Sequence, residues 1–198
     1  MTTTQASPLT REYKGRTIPA AGVYQIDSAH TTVEFVARHL MISKVRGRFE
    51  DVSGTVTIAE VPEESHVEVT IDPASVSTKE PARDEHLRSA DFFDVDSYPT
   101  ITFRSTALKL TSDNRFELTG ELTLHGVTRP VVLDGEFEGA NTSPWGTAAI
   151  GFSASTEIDR DDYGVSFNQV LETGGMLVGN KVRIELSFEA NPALAEAA

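Results

Sequence analysis

Cysteine is absent from the 198 residues, which excludes disulfide frameworks, thiolate zinc sites, iron–sulfur clusters and every cysteine-nucleophile mechanism. Basic residues are scarce. Seventeen Lys and Arg against thirty Asp and Glu leave a net charge of −13 and a pI near 4.7. That balance repels phosphate backbones and anionic bilayers, which argues against nucleic-acid partners and a polybasic membrane role. Long apolar runs are missing too: none approaches the roughly eighteen residues of a spanning helix, so no integral membrane segment is expected. Residues 1–22 lack the apolar core, roughly seven residues or more, of a secretory signal, and the expected compartment is the cytoplasm.

Apolar residues make up 39% of the chain and charged residues an ordinary 24%. A core can therefore form, and wholesale disorder is excluded. The length suits one domain, with two small ones as the alternative. Residues 1–20, Thr/Ser/Pro-rich and without periodicity, are expected to be a mobile arm before a single domain over 21–190. Residues 191–198 read as a frayed tail.

Within the domain the dominant pattern is alternation of period two, the mark of half-buried strands. Val33, Phe35 and Ala37 alternate with Glu34 and Arg38; Val67, Val69 and Ile71 alternate with Glu68 and Thr70. Ile101 and Phe103 alternate with Thr102 and Arg104. Leu118, Leu122 and Leu124 continue through Gly120, and Leu133 and Phe137 flank Gly135. Ile150, Phe152 and Ala154 follow, and Val182, Ile184, Leu186 and Phe188 close the series. Short connections at 61–65, 112–114 and 125–127 carry turn chemistry.

Each pattern is apolar on one face only, so the sheet must close on itself or fold over. About eight or nine strands are read from the pattern, and the expected fold is all-β, an eight-stranded antiparallel barrel, since closure removes exposed edges. Val33, Phe35, Val69, Ile71, Ile101, Phe103, Leu118, Leu122, Phe152, Ile184 and Leu186 are expected to face inward. Two segments break the pattern. Residues 78–90, with Pro81 in the first turn, predict a short helix capped by Ser77 or Thr78. Arg160 to Thr173 reads either as a helical turn carrying Tyr163, Phe167 and Val170 or as a loop.

Signals for chemistry are sparse. The histidines at 30, 39, 66, 86 and 125 have no metal-ligand spacing, so no metal site is expected. His86, among Asp84, Glu85 and Asp91, reads as part of a solvated helix face; His30 and His39 read as structural hydrogen-bonding groups. Gly174 to Lys181 lacks the Gly-Lys-Ser/Thr of a phosphate loop and precedes a strand rather than a helix. No nucleophile elbow or dinucleotide fingerprint is present. Neither catalytic residues nor a cofactor are expected.

Several strings do carry a family resemblance. Tyr24-Gln25-Ile26-Asp27-Ser28-Ala29-His30-Thr31-Thr32-Val33-Glu34-Phe35, then Arg38-His39, then Val45-Arg46-Gly47-Arg48-Phe49, resembles the opening of YceI-like proteins. Their central signature is similar to Arg83-Asp84-Glu85-His86-Leu87-Arg88-Ser89-Ala90-Asp91-Phe92-Phe93-Asp94, followed by Tyr98-Pro99-Thr100-Ile101-Thr102-Phe103. Gly120 to Thr128, and Phe152-Ser153-Ala154 leading to Arg160, extend the match over roughly residues 23–190.

The resemblance implies an extended lipocalin-like barrel holding a long polyisoprenoid, such as a quinone or a prenyl phosphate, in its lumen. The expected role is that of a non-catalytic carrier or reservoir, and the resemblance implies a homodimer as a possible assembly. It supplies no catalytic residues. Many relatives are exported through a cleaved signal, where this chain has a polar arm. A ten-residue strand spans roughly 33 Å, long enough to sheath a linear apolar chain.

By themselves the residues leave the hollow lumen and a packed core both open, because eight strands lie at the border between the two. An enzyme acting on the lipid and a solid barrel working through its surface are the alternatives. Residues 78–94 are expected to form a lid or portal ending in Phe92 and Phe93. Arg38, His39, Arg83, His86, Arg88 and Arg160 are the mouth candidates for a head group. A neutral or weakly charged head group is expected over an anionic one, which would need at least two positive charges or several backbone N–H donors against the net −13.

Overall fold

The computed structural model describes residues 9–170 and 175–193. Its elements are β1 (Thr10–Tyr13), β2 (Arg16–Pro19), β3 (Gly22–His39), β4 (Ser43–Phe49), β5 (Val52–Ile58), β6 (His66–Ile71), β7 (Val76–Ser77), α1 (Pro81–Arg88), β8 (Ile101–Leu110), β9 (Arg115–Leu124), β10 (Val127–Thr142), β11 (Ala148–Asp159) and β12 (Val178–Pro192). Every pairing is antiparallel, and β12 returns to β3 to close the barrel.

β3 organises the closure. One edge runs along β12, with Leu186 opposite Val33, Ile184 opposite Phe35 and Val182 opposite Ala37. Its other edge meets β4 over Val33–His39 and β5 over Gly22–Gln25. β4 and β5 thus act as one wall strand broken at Glu50 and Asp51, whose N–H groups both donate to Ser75 Oγ. β6 and β7 flank them as a second broken strand, which gives an eight-stranded barrel.

The inner wall is apolar at every level. Val33, Ile71, Ile101, Phe103, Leu118, Leu122 and Leu133 belong to one buried cluster, and Tyr24, Val56, Phe137, Ile150 and Phe152 to another at the far end. At three wall positions a phenylalanine covers a glycine: Phe35 over Gly47, Phe103 over Gly120 and Phe116 over Gly135. A Cβ at any of the three would collide with the ring. The glycines therefore let these rings lie against the wall instead of projecting across the barrel.

Four expectations need correction. The N-terminal arm is not featureless: β1 and β2 form a hairpin, with Ile18 and Pro19 buried and Arg11 donating to the carbonyls of Ala59 and Glu60. Residues 1–8 lie outside the described residues. The helix is shorter than 78–90 and is capped by neither Ser77 nor Thr78; it starts at Pro81 after Glu80, and Thr78 instead donates from its N–H and hydroxyl to Asp84. Of the tail, residues 191 and 192 continue β12, pairing with Gln25 and Tyr24, while 194–198 lie outside the described residues. Finally, Arg160–Tyr163 is a single 3-10 turn closed by left-handed Gly164, and Val170 is exposed instead of sharing a buried face with Tyr163. Residues 171–174 of that segment are not described.

Candidate functional site

A cavity of about 270 Å³ runs inside the barrel, from Ile18 and Phe188 at the hairpin end to Leu87 and Phe92 beside α1. All eleven residues expected to face inward line it. So do Val56, Val67, Phe116, Leu133, Phe137, Val182 and Phe188, which the same alternation marks once the strands are joined. At the hairpin end Phe152 centres an aromatic group, with ring centroids 6.1 Å from Phe116, 5.4 Å from Phe137 and 5.3 Å from Phe188.

The other end carries a second recess of about 180 Å³. It shares Phe35, Ala37, Leu87, Phe92 and Val178 with the lumen and adds Arg38, His39, Arg83 and His86. Five of the eight lid and mouth candidates therefore converge here. His86 is not merely solvated: Nε2 lies 2.8 Å from Asp91 Oδ2, and its ring meets Phe92 and Phe167 edge-on at 5.1 and 4.9 Å. Phe93 sits deeper, against Phe49 at 5.5 Å and Phe35 at 6.3 Å.

Besides Phe93, two candidates do not join the recess. Arg88 ties α1 to the end of the β6–β7 wall, donating to the carbonyls of Ala74 and Val76. Arg160 reaches the lumen wall, but its guanidinium donates to the carbonyls of Val165 (2.6 Å), Phe167 (2.9 Å), Gly179 (3.2 Å) and Val178 (3.4 Å). It clamps the segment after β11 onto the start of β12. Burial holds its pKa below the ordinary arginine value, with Asp161 and Asp159 opposing that shift. Arg83 is half engaged: Nε and Nη2 donate to Thr78 Oγ1 and O. With the Thr78–Asp84 bonds this forms a buried polar knot at the foot of α1, a helix with little apolar surface of its own.

The outer wall brings together Asp27, His30 and Glu189, whose ligand atoms lie within 4.8 Å of one another; among the described residues this is the group able to hold a metal. Ion pairing accounts for it. β3 slips register against β12 between Asp27 and Thr32, and His30 Nδ1 folds back to Asp27 Oδ2 at 2.9 Å. The shared hydrogen bond raises the His30 pKa and lowers that of Asp27.

The YceI-like domain family matches residues 24–190, nearly the whole of this barrel. The chain belongs to the YceI-like family. A UPF0312 protein of Staphylococcus aureus strain N315 is 38% identical over 169 residues, covering 84% of this chain and 95% of its own. The crystal structure of the Campylobacter jejuni YceI protein is 31% identical, with a TM-score of 0.68 over 79% of this chain and 90% of that one. A polyisoprenoid binding domain from Saccharophagus degradans, implicated in plant cell wall breakdown, shares the fold at 17% identity, with a TM-score of 0.64 over 88% of this chain and 100% of that one. In this YceI-like chain the central family string supplies α1, Phe92 and Phe93, the parts that separate the lumen from the recess.

Proposed function

We propose that this YceI-like barrel binds a long-chain isoprenoid lipid in its lumen and serves as a non-catalytic carrier or reservoir. The observation that carries this reading is the hollow apolar interior. An apolar cavity of about 150 Å³ already takes benzene, and this one is about 270 Å³ and walled by aliphatic and aromatic side chains along its length. The polyisoprenoid binding domain of Saccharophagus degradans, built on the same fold, supports an isoprenoid as the occupant.

The mouth favours a neutral head group. An anion needs at least two free positive charges, or several backbone N–H donors, there to overcome the net −13. Of the four candidate arginines, Arg88 and Arg160 are engaged with backbone carbonyls, and Arg83, though exposed at the recess, donates to Thr78, which leaves Arg38; Lys44, opposite Arg38 on β4, does not line the recess. A quinone needs only hydrogen bonds of the kind His39 and His86 supply.

The test is a titration of lipid-stripped protein with a long-chain quinone and the matching prenyl phosphate at low and high salt. Salt-independent quinone binding at least as tight as the phosphate supports the assignment. Tighter phosphate binding that collapses on added salt or on Arg38→Gln overturns the neutral head group, and failure of both ligands overturns the lumen assignment.

A further inference from the structure

The turn between β3 and β4 is built against the usual rules. Leu40 and Met41 both take left-handed backbone, at φ +52° and +61°, where a tight hairpin turn ordinarily uses Asn-Gly. The result holds Met41 and Ile42 out from the barrel, Ile42 with 82% of its surface exposed. A second apolar pair, Val170 and Met176, lies beside it. Leu40 N–H donates to the Leu177 carbonyl at 2.9 Å, and Val170 bridges to Met176. Val170 is 78% exposed, and Met176 is exposed as well. Four of the eight exposed large apolar side chains among the described residues thus crowd two neighbouring tips. Both tips border the mouth recess, whose wall includes His39 and Leu177. Exposed apolar groups gathered this way mark an interaction surface.

The charges behind the tips indicate what that surface meets. Arg38 and Lys44 stand directly opposite each other on β3 and β4, an arrangement of like charges that destabilises a sheet. Neither has a carboxylate partner among the described residues. Further along the same wall, Arg46, Arg48, Lys181 and Arg183 are all paired with Glu or Asp. An anionic surface would relieve Arg38 and Lys44 together, while apolar tips beside them entered its hydrocarbon edge.

We propose that the mouth end docks on an anionic phospholipid surface, with Met41, Ile42, Val170 and Met176 inserted and Arg38 and Lys44 against the phosphates. The net −13 of the chain repels the remainder of the barrel from such a surface and so orients it mouth-down. Docking places the recess, and the lumen behind it, against the membrane. Docking at the mouth is separate from lumen binding and needs no lumen ligand.

Flotation of lipid-stripped protein with phosphatidylcholine vesicles, with and without phosphatidylglycerol and free of isoprenoid, reads docking alone. Binding is expected with phosphatidylglycerol, weakened by salt and by Lys44→Gln. Ile42→Asp should weaken it roughly tenfold, the scale of losing one buried aliphatic side chain, while quinone loading of the lumen in detergent is unchanged. The chain's single tryptophan, Trp145, sits 90% exposed in the loop between β10 and β11, at the far end of the barrel. Brominated lipid should leave Trp145 fluorescence untouched but quench an Ile42→Trp variant made in a Trp145→Phe background. No flotation, flotation indifferent to Ile42→Asp, or quenching of Trp145 would overturn the proposal. So would a vesicle-independent dimer that Ile42→Asp dissolves, which would assign the tips to a second copy of the chain.

Discussion

Adding one methyl group at Gly120 and at Gly135 should have unequal effects, and the inequality reports on whether the lumen is hollow. Both glycines lie on the inner wall beneath a phenylalanine. At Gly120 the new Cβ meets the Phe103 ring and also the Arg104 carbonyl oxygen at 2.6 Å, which moves only if β8 moves. At Gly135 the three nearest atoms all belong to the Phe116 ring, and that ring borders the cavity. Overpacking costs roughly 1–3 kcal/mol, and replacing a strand glycine by alanine recovers about 0.5–1 kcal/mol of backbone entropy. Gly120→Ala, at the top of the range, should lose about 2–2.5 kcal/mol. Gly135→Ala, at the bottom, should lose about 0–0.5 kcal/mol as Phe116 swings into free space. At ~2–4 °C per kcal/mol for a chain of this size, thermal melts should drop by roughly 4–10 °C for the first and ~2 °C or less for the second. The displaced Phe116 should also weaken binding of an apolar fluorescent probe in the lumen. Equal melting losses for the two variants, with probe binding unchanged, would mean that Phe116 has nowhere to go and that the barrel is solid.

Phe93→Ala should destabilise by about 3–5 kcal/mol, as loss of a buried aromatic does, because Phe93 packs on Phe35 and Phe49; denaturant melts measure it. Phe92→Leu, at the boundary between lumen and recess, should instead change the ligand exchange rate in stopped-flow more than it changes stability. Tyr163 is buried, and its hydroxyl has no hydrogen-bond partner among the described residues, so Tyr163→Phe should leave stability unchanged or raise it by about 1 kcal/mol; a drop of that size would refute the assignment. The His30–Asp27 bond raises the His30 pKa above 6.5, so its small stabilising contribution is complete below pH 6.5 and fades as pH rises through the higher folded value. Asp27, whose pKa is lowered, contributes above its ordinary value and loses that contribution as pH falls through the folded one. NMR titration should find the His30 pKa raised and Asp27→Asn returning it toward normal.

The barrel was legible because a strand with one face on the lumen and one on water alternates strictly. That pattern located the lumen residues from Val33 to Leu186 before any pairing was known. The N-terminal hairpin was not legible. Its strands have four residues each, and Ile18 and Pro19 become buried only against a barrel end assembled from distant parts of the chain. The mouth was half legible. Arg38 and His39 come to the rim because Val178 pairs with His39 across 139 positions, a closure no local signal announces. Arg88 and Arg160 share the family strings and the same charge, yet nearby backbone carbonyls decide their roles, and those carbonyls leave no trace in composition. The β3–β4 turn is illegible for the opposite reason: Leu40 and Met41 are not turn residues, and their left-handed backbone is visible only in the structure.

The central claim is that the lumen holds an isoprenoid. Mass spectrometry of an organic extract of the purified protein, set beside an extract of a lumen-filled variant such as Ala154→Phe, tests it most directly. The expected extract holds a long-chain isoprenoid with a neutral head group, in near-stoichiometric amount from the parent and depleted from the variant. An extract without isoprenoid, or the same trace lipids from both proteins, would contradict it.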